Sequence, residues 1–450
     1  MPAPDDQPRR DDDRRRPPFD ISPLQHEPRV NDAVEAPTRL VAEQKAQAGR
    51  EAAAERPSFR GLLAVAEFRA LIAGFLLHLT SGTVGTLVIS ILVYERTHSP
   101  LLSAIALASN SLPHVIGATF LISLADRLPL RRGLVYASLA QIITLSVVAL
   151  GILPVGGILV IVMLGGSVQP IGTAMRSAAL PDILGNGAEY VLGRAVMNMT
   201  SYSAQALGYA AGGVFVATVG APWALWTAVG VSFFVIGIIW FGLKDRPVRA
   251  ESNGSTVRQT WETNWSLLRI GALRRLLLLV WIPLTLAGGT EALFVPFATR
   301  NGGASSLASA LFWGATAGNF AGDLLLGRLA SPARLARLVL PLALLLAVPL
   351  ICFAANPPAV IAVILCFISA TGVSYQLGLQ SQFLELVPRN SRAQAFGLMY
   401  SGIPALQGVT YVLAGAIATT ITPGNVIALF GLASAVSSLA LALYVRMRNN

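Results

Sequence analysis

The chain has 450 residues, 54% hydrophobic and only 12% charged, with a mean hydropathy of +0.62 and a formal net charge of +10. A soluble domain carries about 25% charged residues, so a soluble fold is excluded. Residues 1–60 hold eleven Lys/Arg against twelve Asp/Glu and the remainder twenty-two against eleven, so the positive excess lies in the apolar part and needs no nucleic acid to explain it.

Residues 1–60 read as a disordered cytoplasmic tail. Asp11-Asp12-Asp13-Arg14-Arg15-Arg16 and the surrounding prolines offer almost nothing apolar to bury. No basic stretch followed by a short apolar one marks a secretory signal. A solvated tail and a regulatory or partner-binding tail both fit this composition. Phe59–Arg69 reads as an interfacial lead-in to the first apolar run.

Twelve apolar runs come next, at 70–93, 101–125, 133–153, 156–180, 195–218, 222–243, 275–298, 305–327, 338–355, 358–386, 394–420 and 423–445. A bilayer core needs roughly 20 apolar residues of helix to cross it. Backbone polar groups in lipid must be satisfied internally, and the runs lack the alternation of barrel strands. The fold expected is therefore an all-α membrane protein of twelve transmembrane helices. Of the twenty-two basic residues beyond 60, all but Arg96 and Arg300 fall in alternate gaps or helix ends on one side. The positive-inside rule makes that side cytoplasmic, with both termini, in the cell's inner membrane. The polar gap 244–274 reads as a cytoplasmic linker between two six-helix bundles, 61–243 and 275–450. At a constant offset of 201 residues Gly117 matches Gly318, Arg127 matches Arg328 and Leu128 matches Leu329. Two pseudo-symmetric bundles imply a binding site between them near the midplane.

Three segments carry a family resemblance. They are Tyr94-Glu95-Arg96-Thr97-His98-Ser99-Pro100, the loop Ser123-Leu124-Ala125-Asp126-Arg127-Leu128-Pro129-Leu130-Arg131-Arg132, and Arg176–Asp182 with Gly208-Tyr209-Ala210-Ala211-Gly212-Gly213. They resemble the major facilitator superfamily, in particular its bacterial drug and siderophore exporter branch (the enterobactin-exporter-like group), over 68–446. In the signature loop Asp126, Arg127 and Arg131 remain, while Ile122 and Pro129 replace glycines and Leu130 replaces an arginine. The resemblance implies that Asp126, Arg127 and Arg131, with Asp323 in the second half, form a latch that breaks and reforms during transport. Gly208, Gly212 and Gly213 resemble a fifth-span motif of proton-exchanging exporters, with Tyr209 in place of its proline. Close helix packing is the other reading of this glycine spacing, and of Gly314, Gly318 and Gly322.

Ionisable groups inside spans are costly and mark function by default. Glu291 is the clearest, about 24 Å along the seventh span from Arg275. It reads as a proton-coupling or substrate-binding acid, or as a static partner of a polar neighbour. His78 and His114 can titrate near neutral pH or serve as hydrogen-bonded packing. Arg176 lies where the resemblance implies a coupling or gating arginine. Asp323 reads as a structural residue at the seam between halves or as a coupling acid. Asn110, Gln169, Tyr202, Gln205, Tyr375, Gln376 and Gln380 are candidates to line the cavity, or to bond between helices.

No phosphate-binding loop, metal-ligand cluster or catalytic domain is legible, so no cofactor, no metal and no enzyme activity are expected. Cys352 and Cys366 both lie in apolar runs and imply no disulfide. The function expected is secondary active transport, by proton-coupled export of a small amphipathic molecule, with the chain acting as a monomer in the lipid bilayer. Import of a metabolite, and a non-transporting scaffold or sensor, are the alternatives. In a background lacking Cys352 and Cys366, single cysteines at Gly156, Gly220 and Asn356 should react with an impermeant external maleimide. Cysteines at Ser252 and Ser391 should not, and the reverse pattern would invert the topology.

Overall fold

The computed structural model describes residues 59–109, 111–113, 128–185, 188–244, 264–329, 332–387 and 392–447. The tail up to residue 58 and linker residues 245–263 lie outside them. Among the described residues there is no strand, and helix lies on each of the twelve apolar runs, the second run being described only as far as residue 113. The first half comprises α1 Ala66–Thr97 (preceded by the short helix Phe59–Ala64), α2 Pro100–Ala108, α3 Leu130–Ala149, α4 Val155–Leu184, α5 Ala188–Val219 and α6 Ala221–Gly242. In the second half α7 is Gly271–Arg300, α8 Ala304–Leu329 and α9 Pro332–Ile351. Then α10 comprises Ala359–Thr371 and Tyr375–Leu386, α11 is Arg392–Ile417 and α12 Pro423–Met447.

The two halves share one packing scheme. Helix α1 packs on α5 and α6, α6 on α3, and α3 on α4; six helices later α7 packs on α11 and α12, α12 on α9, and α9 on α10. The halves meet along two seams, α5 against α8 and α2 against α11. Among the described residues eight helices are long and apolar enough to cross a membrane: α1, α3, α4, α6, α7, α9, α10 and α12. The long helices left out, α5, α8 and α11, are seam helices. They face the other half and the space between, so they can carry polar side chains that lipid would penalise. Helix α6 is the opposite case: Trp223, Phe233, Phe234 and Phe241 point outward, Phe241 90% exposed, as a lipid-facing helix requires.

The turns follow from their residues. At the end of α1, His98 takes a left-handed φ of 49° and returns its N–H to the Tyr94 carbonyl at 2.7 Å. Ser99 then caps α2 by accepting the Leu102 N–H, with Pro100 in the first turn, where its missing donor costs nothing. Arg96, one of the two arginines off the charge rule, donates to the Leu153 carbonyl in the α3–α4 turn at 3.2 Å. We call this end of the molecule the short-turn face and the opposite end the arginine face.

Prolines decide where the spans depart from a regular ladder. Pro283 inside α7 cannot donate to the carbonyl of Leu279. The Tyr375 hydroxyl donates to Leu279 O at 3.1 Å and to Val280 O at 2.8 Å. Tyr375 is fully buried by this, so it does not line a cavity as expected from its sequence; it satisfies a backbone group that lipid could not. Pro296 likewise withholds a donor from Ala292, and α7 tightens there into a 3₁₀ turn, Thr290–Leu293, which carries Glu291. Helix α10 has a similar turn at Gly372–Ser374, where a Cβ on Gly372 would run into the backbone of Leu342 and Leu346 on α9.

The α8 stripe is used for packing. A Cβ on Gly318 would collide with the Phe367 carbonyl of α10, and one on Gly322 with Thr371 and Ser374. Gly327, on the same helix, faces open space. Gly318→Val should therefore lose about 1–3 kcal/mol of stability or more. Gly327→Ala should be neutral or gain up to about 1 kcal/mol. Thermal unfolding of the two purified variants in detergent separates these outcomes.

Candidate functional site

Three chambers adjoin one another, the first and third lined by both halves and the second by the first half alone. The first, about 380 Å³, is lined mainly by α7–α11 and includes Glu291, Tyr411, Gln407, Asn319 and Gln376. The second, about 370 Å³, belongs to the first half and holds His78, Gln141, Gln169, Thr173 and Arg176. Both share Thr86 and Gln205, so they meet in the centre of the molecule. The third, about 420 Å³, contains Arg194, Tyr202, Asp323, Gln376 and Tyr400; it shares Gln376 with the first and Ser201 with the second.

Glu291 lines the first chamber from the 3₁₀ turn of α7. The Tyr411 hydroxyl donates to Glu291 Oε2 at 2.6 Å, and Gln407 Nε2 donates to the Tyr411 oxygen at 2.8 Å. Gln407 and Tyr411 are four residues apart on α11, hence on one face of the helix. No Lys, Arg or His lines this chamber among the described residues. The first half contributes Tyr209 of α5, whose ring stacks on Phe312 of α8 at 4.7 Å and 14°; Phe294 meets Phe312 edge-on at 5.0 Å. A carboxyl so placed can bind a proton or a cationic group, with an aromatic wall beside it.

The second chamber is built on a polar network. His78 Nε2 is 3.2 Å from Gln169 Oε1, and Gln169 Nε2 donates to Gln141 Oε1 at 3.4 Å. Gln141 Nε2 donates to the His78 carbonyl and to Ser81 Oγ, and Ser81 pairs with Ser232 of α6 at 2.7 Å. The network joins α1, α3, α4 and α6. Arg176 borders the same space, its guanidinium 4.8 Å from the centre of the Phe75 ring.

Towards the arginine face the halves are joined by a carboxylate. Asp323 of α8 accepts the Tyr202 hydroxyl of α5 at 2.9 Å and the Ser374 hydroxyl of α10 at 2.8 Å. Nearer the short-turn face the same seam closes by direct packing, since a Cβ on Gly213 would collide with Ser309. On the other seam a Cβ on Gly415 would press on Pro100, Leu101 and Ala104.

Among the residues conspicuous in the sequence, Gln169, Gln205, Gln376, Gln380 and Tyr202 line these chambers, and so do Glu291, His78, Arg176 and Asp323. Gly208 packs on Thr80 and Thr83 of α1, and Gly212 on Val84 and Leu87, so both bring α5 close to α1. Arg131 stacks over Trp240 at 4.0 Å, inside its own half. Asn110, His114, Asp126 and Arg127 lie outside the described residues. Gln407, Tyr411, Gln141 and Asn319 are chamber residues that the sequence reading misses; each is a polar residue within an apolar run, the signal that identifies Gln169 and Gln205.

The sequence profile described as Major Facilitator Superfamily matches residues 70–384. No curated protein matches the chain by sequence. Among solved structures the chain is similar to the nucleoside transporter NupG, with 14% identity, a TM-score of 0.66, and coverage of 84% of this chain and 98% of that one. It is also similar to a D-xylose–proton symporter, at 12% identity and TM-score 0.62, covering 84% and 96% of the two chains. The human organic anion transporter MFSD10 (TETRAN) matches at 16% identity and TM-score 0.59, covering 84% and 99%.

The Tyr202–Asp323 bond crosses the seam, so losing it should loosen the arginine-face side. A hydrogen bond to a charged group contributes about 1.5–3 kcal/mol. Tyr202→Phe should therefore raise the maleimide labelling rate of a cysteine placed at Gln380 by roughly tenfold or more. An unchanged rate would mean that the bond does not restrain the halves.

Proposed function

Since the chain belongs to the Major Facilitator Superfamily, and so to the secondary transporters, we propose that it exports a small amphipathic organic molecule in exchange for protons. The observation that carries this reading is Glu291. It is a carboxyl on a broken helix, open to the central cavity and without a basic partner among the described residues of its chamber. Intramembrane acids on interrupted helices are where transporters bind coupling ions and substrate. The mixture of Tyr209, Phe294, Phe312 and Leu350 with Gln376 and Gln407 around the first chamber suits a cargo with both apolar and polar surface. Direction rests on the likeness of Gly208–Gly213 to the exporter motif.

Alternating access assigns parts to the remaining residues. The two bundles rock about the α5–α8 and α2–α11 seams. The latch on the arginine face comprises Asp126, Arg127 and Arg131 with Asp323. Arg131 acts from its place against Trp240, and Asp323 by making and breaking the Tyr202 bond. His78 and His114 are secondary candidates for carrying the proton. The arginine face is cytoplasmic, both termini lie there, and one chain in the inner membrane is the working unit.

Glu291→Gln keeps the shape and the Tyr411 contact but cannot ionise. Comparing compounds released by cells with and without the protein supplies a substrate for proteoliposomes with an imposed pH gradient. The variant should retain downhill exchange and lose uphill export or its dependence on the gradient. Uphill export with unchanged pH dependence would make Glu291 structural and move the coupling role to Asp323, Asp126 or a histidine. Flux of the opposite sign would favour import.

A further inference from the structure

Arg176 has no answering charge among the described residues that surround it. Its side chain is 8% exposed, on the inner part of α4. Its one hydrogen bond among the described residues, from Nη2 to Thr173 Oγ1, is long at 3.4 Å. The other near group is the face of Phe75, which attracts a cation but accepts no conventional hydrogen bond. No carboxylate lines the chamber that Arg176 borders, among the described residues. A guanidinium carries five N–H donors in a fixed fork. The remaining donors of Arg176 have no hydrogen-bond partner among the described residues and border the chamber, where a charge removed from bulk water favours an anionic complement. His78 does not relieve it: its Nε2 faces Gln169 Oε1, and its buried Nδ1 has no hydrogen-bond partner among the described residues.

These donors define the chemistry of a complement. A guanidinium fork beside a cavity of about 370 Å³ matches a planar, two-oxygen acceptor. On the cavity lining Thr173, Ser177 and Gln169 offer polar contacts, while Phe75 and Leu79 offer an apolar wall. We propose that Arg176 is the anion-binding group of the transport cavity, and that the cargo carries a carboxylate or an equally compact organic anion. This deepens the transport reading and rests on it in one respect, that the cargo enters this cavity. The first chamber, with Glu291, then receives the proton or the cationic part, so the two halves hold opposite charges for different steps of one cycle.

The test is equilibrium binding to the purified full chain in detergent, read as the shift in thermal unfolding, with three probes of matched size: naphthoate, naphthamide and naphthylmethylamine. Naphthoate should stabilise the wild type most. Arg176→Gln should weaken naphthoate binding by about tenfold or more, the loss expected for a hydrogen-bonded charge pair, and Arg176→Lys should keep part of it. Thr173→Glu is the second variant. One turn before Arg176 and already in contact with it, a carboxylate there fills the site from within. It should raise the unfolding temperature without ligand and abolish the naphthoate shift. If Arg176→Gln does not fold, Thr173→Glu alone decides. The proposal is overturned if the wild type ignores naphthoate, if amide or amine bind as well as acid, or if the folded variants bind naphthoate like the wild type. Binding needs no transport, so intact naphthoate binding with no flux would count against the exporter reading and leave this one standing.

Discussion

Everything in this fold answers to one constraint: in lipid, a backbone carbonyl without a donor must find one inside the protein. Pro283 breaks the ladder of α7, and the consequence reaches across to α10, where a tyrosine hydroxyl is committed to two α7 carbonyls. Ser434 of α12 donates to the Pro283 carbonyl itself at 2.8 Å. With those groups satisfied, α7 can tolerate a second irregularity at Thr290–Leu293, and that one faces the cavity. A functional acid is thus displayed by a break in one helix that neighbouring helices have made tolerable.

The contact scheme repeats between halves, but the chemistry inside them does not. The first half keeps α1 unbroken over Ala66–Thr97 and fills its interior with an amide–hydroxyl network ending at a histidine, with Arg176 bordering the same chamber. The second half breaks α7 and α10 and holds Glu291 and Asp323 at or beside the breaks, with Asp323 bonded to Ser374 in the α10 turn. The seam helices carry these differences to one another: Tyr209 reaches from α5 to an aromatic cluster of the second half, and Tyr202 reaches to its carboxylate.

Much of this is legible from residue order. The twelve spans, the six-plus-six division and the family follow from run length, and from segments that survive as motifs. Glu291, Arg176, Asp323 and the glutamines are legible as candidates because lipid makes any polar residue in a span conspicuous. Two things are hidden. A polar residue announces itself but not its partner, so Tyr375 reads like Tyr202 although one is sealed against a proline-freed backbone and the other joins the halves. Helix breaks are hidden for the related reason that Pro283 and Pro296 look alike in sequence. Only packing shows that α7 runs helical through the first and tightens before the second.

The absent side chain of Gly213 has a mechanical consequence. It marks a point of close contact between α5 and α8, and Tyr202 lies eleven residues away on α5, about 16 Å by helical rise. A lever of that length converts a tilt of about 10° at the glycine into a displacement of about 3 Å at the tyrosine. That equals the whole length of its 2.9 Å bond to Asp323. Two stiff rods touching at a bare pivot therefore need only a small angle at one end to sever a polar contact at the other, and the bond behaves as a clasp rather than a spring.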